Sequence, residues 1–166
     1  MTLLLAAVGA VVTALIELTV TPYLRIGSAQ PHPVLVLAVI VTIAVGLEAG
    51  LVWAFVGGLA LDVLAQRPLG STAFALLLCV GGASLLARSL AHLRPIVPIV
   101  AVFLFSLGYS MILFATFRAL GAPPPAADPF AMVFPSAVYD AVLGAIIGPL
   151  AVAVHDRRME QERVDW

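Results

Sequence analysis

Long apolar runs separated by brief polar or proline-containing breaks set the pattern of this chain. A helix needs roughly 20 apolar residues to cross a hydrocarbon core about 30 Å thick. Residues 3–24 supply a first such span. "RIGSAQPHP" ends it, because Pro31 and Pro33 cannot continue a helix. The chain is then apolar from Val34 to Leu64, which as one helix would run to about 46 Å at roughly 1.5 Å per residue. That is too long for one ordinary span. The polar interruption "GLEAG", Gly46 to Gly50, predicts two short helices over 34–46 and 49–65. Further spans are predicted over 70–87, 96–120 and 130–154, with the stiff loop "GAPPPAADP" before the last. A mixed-charge tail, 155–166, follows. No linker or long repeat divides the chain, so residues 1–166 read as a single transmembrane domain.

Composition places these runs in a membrane rather than in a soluble core. The chain is 63% hydrophobic and 10% charged, with a mean hydropathy of +1.15. Soluble domains are closer to half apolar and a quarter charged. The predicted fold class is therefore an all-α integral membrane protein with six transmembrane helices. The amino terminus lacks a basic region before its apolar run, so it reads as the first span and not as a cleaved signal. With six spans and both termini cytoplasmic, Arg88, Arg94, Arg157, Arg158 and Arg163 lie inside and Arg25, Arg67 and Arg118 outside. This is the direction the positive-inside rule favours. Five spans with an outside amino terminus would bring Arg25 inside as well, so charge alone leaves the count open; span length favours six. A formal net charge of −1 offers no basic face for nucleic acid. Cys79 stands alone in an apolar run and reads as a small core residue. His32, His92 and His155 share no ligand spacing, so no metal site is expected.

Small residues at Gly50, Ala54 and Gly58, followed by Asp62, recur every fourth position along the third predicted helix. Such strips let another helix backbone approach closely. Asp62 ends the strip. A carboxylate at the bilayer centre costs about 2.5–3.5 kcal/mol, so it must face protein, water or the interface. It reads either as an interfacial acid satisfied by water or Arg67, or as a structural or binding group. In "RPLG", Pro68 fixes φ and Gly70 frees it, turning the chain back into the next helix. Glu17 and Asp140 lie deeper in their spans. They read as hydrogen-bonded acids joining helices or, less economically, as members of a proton or ion path. Ser110, Thr116, Ser136, Tyr139 and Arg118 are among the partners on offer. Gly144 and Gly148 add a GxxxG pair to the last span. No nucleophile and base, phosphate loop or carboxylate pair appears, so no enzymatic activity and no cofactor are expected.

"GLALDVLAQRPLG", with the small residues before it, resembles the central signature of the bacterial rod shape-determining protein MreD family. Pro31 stands where that family's second span begins, and "FPSAVYDAVLGAIIGPL" is similar to its last-span motif. His32 departs from an acidic residue common in the family, and Asp140 from an asparagine. The resemblance implies a non-enzymatic scaffold in the bacterial cytoplasmic membrane, within the machinery that builds the lateral peptidoglycan wall. Its implied partners are an MreC-like single-span protein, a RodA-type glycosyltransferase with its transpeptidase, MreB filaments and membrane lipid. The family also looks similar in fold to the membrane substrate-binding subunits of energy-coupling-factor transporters, which implies helices around a cavity. On this reading Gly50, Ala54, Gly58, Asp62, Pro68 and Gly70 serve packing and partner contact, with the small-residue strips set against partner helices. Glu17, Tyr139 and Asp140 line an interior or partner groove. The alternative function is a small-solute carrier or vitamin-type substrate-binding subunit, with Glu17 and Asp140 as polar contacts and Trp53 and Tyr109 as aromatic ones. A blander alternative is a membrane protein of this fold without partners in wall elongation.

Overall fold

A computed structural model describes residues 2–27, 29–89, 96–121 and 129–164, with side chains of the last stretch described at 132–151 and 153. His92, Arg94 and most of the proline-rich loop, 122–128, lie outside the described residues, as does the side chain of His155. Six α-helices follow one another among the described residues: α1 (Thr2–Val20), α2 (Pro33–Ala44), α3 (Leu47–Leu64), α4 (Ser71–Ser89), α5 (Val97–Ala119) and α6 (Pro129–Val164). Five are long and apolar enough to cross a membrane.

The exception is α2. Its 12 residues extend about 18 Å, well short of the roughly 30 Å hydrocarbon core. The span expected over 34–46 is a short helix inside the bundle, and with the linker before it the chain returns from the end of α1 to the α2–α3 turn beside the start of α1. Its boundaries have local causes. Pro33 sits in its first turn, where the missing N–H is no loss. Gly46 ends the turn to α3 at φ 128°, a conformation that favours glycine. α2 packs against all five other helices, and Val34, Leu35, Val36, Ala38, Val39 and Ile40 are all buried. A helix apolar all round is one enclosed on every side. α3, Leu47–Leu64 with 18 residues, lies close to the helix expected over 49–65, and "GLEAG" enters it directly after Gly46.

Close approach at glycines sets the packing around α2. A methyl group on Gly50 would overlap the Thr42 side chain of α2, and one on Gly57 would lie 2.9 Å from Val34 Cγ1. On α1, Ala6, Ala10, Thr13, Ala14 and Glu17 form the buried face. Gly9 leaves room there for the Trp53 ring, whose Nε1 donates to the Val34 carbonyl at 3.3 Å. α5 and α6 meet where Gly144 faces Val102 and Gly148 faces Pro98. α6 continues as helix through the charged tail as far as Val164. Its apolar part is Met132–Ala151, with Pro135 and Pro149 inside the helix.

The turn between α2 and α3 lies beside the start of α1, around Thr2, Leu3 and Glu48. The start of α2 lies at the other end, against the later turns of α1.

Candidate functional site

Asp62 makes the corner between α3 and α4 with both its backbone and its side chain. Its carbonyl accepts from Arg67 N at 2.9 Å, and Val63 O accepts from Gln66 N at 3.4 Å. With Gln66 at φ 52°, this is a Schellman ending, in which the last carbonyls of a helix are satisfied by the returning chain. The fully buried Asp62 carboxylate then reaches the start of α4. It accepts from Gly70 N at 2.8 Å and Thr72 N at 3.1 Å, and from Ser71 Oγ at 3.2 Å. Those N–H groups have no partner within α4, and the helix N-terminus favours negative charge. Ser71 N donates to Pro68 O at 3.1 Å while Gly70 takes φ 88°, so "RPLG" forms the turn read from its residues. Satisfaction of Asp62 by Arg67 or water gives way to capping by the following helix.

Two more acids converge on the start of α2. Glu17 Oε2 accepts from Val34 N at 2.8 Å. Asp140 Oδ1 accepts from His32 N at 2.7 Å, and Oδ2 accepts from His32 Nδ1 at 2.9 Å and from Ser106 Oγ at 2.6 Å. One turn earlier in α6, Ser136 Oγ accepts from Gln30 N at 3.0 Å. The linker into α2 thus has its backbone donors tied to α1 and α6. Non-helical backbone at membrane depth requires such burial in protein or a lined cavity. His32 also stands edge-on to Tyr109, with ring centroids 5.5 Å apart.

Above this junction lies a partly open cavity of about 150 Å³. Glu17, Gln30, His32, Arg67, Tyr109 and Ser136 form its polar lining, and Leu113, Phe114, Met132 and Val133 an apolar wall. Of the residues singled out in the sequence, Glu17, Tyr109 and Ser136 line the cavity, Asp140 lies behind it, bonded to His32, and Trp53 is not among its lining. Tyr139 is half-buried and is not among the cavity's lining. Gly50, Ala54 and Gly58 are buried. Their strip turns by about 40° every four residues, so Gly50 faces α2 whereas Gly58 meets Ala73 of α4. At Gly50 and Gly58 the strip packs within the chain.

His32, Arg67 and Gln30 escaped the sequence reading as site residues because they lie in connecting segments. The polar linker before Pro33 was the signal for Gln30 and His32, and the "RPLG" turn that for Arg67. The group of His, Cys, Asp and Glu side chains needed for a metal is absent among the described residues.

No curated protein and no solved structure matches the chain. The family model of the rod shape-determining protein MreD matches residues 1–122. The match takes in Glu17, His32, Asp62, Arg67 and Tyr109 and stops before Ser136 and Asp140. Together with five helices able to cross a membrane, it shows that this multi-pass chain belongs to the rod shape-determining MreD family.

Proposed function

We propose that the chain is a non-enzymatic scaffold of the rod-shape complex, seated in the cytoplasmic membrane with both termini on the cytoplasmic side. Its direct partner is an MreC-like single-span protein, through which it helps organise a RodA-type glycosyltransferase, its transpeptidase and MreB filaments. The observation that carries this reading is the use made of Glu17, Asp62 and Asp140. Each accepts from backbone N–H groups at a helix start, so their polar chemistry holds a rigid architecture.

The small-residue strip is occupied internally, which moves the partner surface elsewhere. Gly81 of α4 and Gly108 of α5 are helical glycines at which an added Cβ would meet nothing within 4 Å. Glycine weakens a helix interior by about 0.5–1 kcal/mol relative to alanine, and neither position is needed by the chain's own packing. Both suit close approach by a partner helix.

The test is co-purification of the tagged full chain with an MreC-like partner. Gly108→Leu should reduce partner recovery while leaving the melting temperature in detergent unchanged. Gly58→Leu should lower the melting temperature itself. Full recovery with both Gly108→Leu and Gly81→Leu would exclude this surface.

The cavity bears on a second reading, as a small-solute carrier. Its volume of about 150 Å³ is below the roughly 300–1,000 Å³ of drug-sized ligand sites. A vitamin-sized solute is therefore a poor fit.

A further inference from the structure

Two opposite charges line the cavity without meeting. Among the described residues the ion pair within 4.0 Å is His32 with Asp140, so Glu17 and Arg67 share a cavity but not a contact. Glu17 is 5% exposed. One carboxylate oxygen holds Val34 N, and the other has no hydrogen-bond partner among the described residues. Arg67 is half-buried in the corner after α3, and its backbone N–H is already committed to Asp62 O. A charged side chain left without a partner in a membrane domain is costly. A ligand of one sign would satisfy one of them and be repelled by the other.

We propose that this cavity binds a zwitterionic head group, its primary ammonium on Glu17 and its phosphate or carboxylate on Arg67. Arg67 presents the planar fork of donors suited to such an anion. The unpartnered Glu17 oxygen accepts from the ammonium. His32 is fixed by Asp140 and belongs to the polar lining. Leu113, Phe114, Met132 and Val133 give the cavity an apolar side, which suits the glycerol and upper chain of an ethanolamine phospholipid. The same chemistry is carried by a free solute such as phosphoethanolamine, and the experiment separates the two sources. The inference does not depend on which protein the chain scaffolds.

Native mass spectrometry of the full chain, titrated with phosphatidylethanolamine or phosphatidylglycerol, reads the lipid source. Thermal shift with phosphoethanolamine, ethanolamine and inorganic phosphate reads the soluble one. The wild type should prefer phosphatidylethanolamine by about tenfold or more, the scale of a buried charge pair. Glu17→Gln keeps an acceptor for Val34 N but removes the charge, and should reverse the preference toward phosphatidylglycerol. Arg67→Gln should lose phosphatidylethanolamine binding with little change in melting temperature. A stabilising shift with phosphoethanolamine, lost in Arg67→Gln and without lipid preference, would assign the same chemistry to a soluble ligand. Equal retention of both lipids with no shift from phosphoethanolamine would overturn the proposal. So would a shift from inorganic phosphate as large as that from phosphoethanolamine, or a lipid preference unchanged by Arg67→Gln.

Discussion

Asp62 ends one helix with its carbonyl and starts the next with its carboxylate. Asp62→Ala removes the acceptor and strands buried N–H groups at Gly70 and Thr72. It should lower unfolding stability by about 2–3 kcal/mol, combining a lost cap with unsatisfied donors. Asp62→Asn, which keeps one acceptor, should lose about half as much; equal losses would refute capping as the cause. Gln66 holds φ 52° at the end of the same helix, where a side chain costs about 1–2 kcal/mol. Gln66→Gly should therefore raise stability by about 1 kcal/mol, read as a higher melting temperature. At this scale the residue type was readable and its partner was not. An acid near a helix end must be satisfied, but its satisfaction by the amides of the following helix depends on the turn at Gly70. His32 and Asp140, the two departures from the pattern implied by the family resemblance, bond to each other, across a sequence distance that no local reading bridges.

At the scale of elements, two kinds of glycine should behave in opposite ways. Gly58 lies against backbone atoms of Ala73, including its N at 2.6 Å from an added Cβ. Backbone cannot rotate away as a side chain can. Gly58→Ala should lower stability by about 1–3 kcal/mol, as overpacking does. Gly81→Ala, facing open space, should leave stability unchanged or raise it by up to about 1 kcal/mol through helix propensity. Thermal unfolding of the two variants side by side checks the contrast. The four-residue spacing announced the close packing of α3. It did not tell which helix each member meets, because the strip winds around the helix and passes from α2 to α4. The extent of α2 was close to that expected, starting at Pro33 and ending near Gly46. Its enclosure by the other five helices, with its start tied to Glu17 and Asp140, was visible only in the tertiary structure.

For the whole molecule, the polar anchors gather at one end of the bundle and the α2–α3 turn lies at the other. Single cysteines test this arrangement directly, since native Cys79 is buried. Tyr23→Cys and Leu69→Cys, both at strongly exposed positions, should label from the outer side of the membrane. Glu48→Cys should label from the inner side. Labelling of Tyr23→Cys and Glu48→Cys from one side would refute both the alternation of helices and the proposed orientation. The apolar runs, their proline and glycine breaks and the shortage of charge were enough to assign a helical membrane protein and most of its helix boundaries. Those properties act locally, through the length needed to cross hydrocarbon and the backbone preferences of proline and glycine. The short central helix, the three acids capping helix starts and the unpaired Glu17 and Arg67 in one cavity came from tertiary packing. Each joins residues far apart in the chain, and their distances are set by how the helices cross.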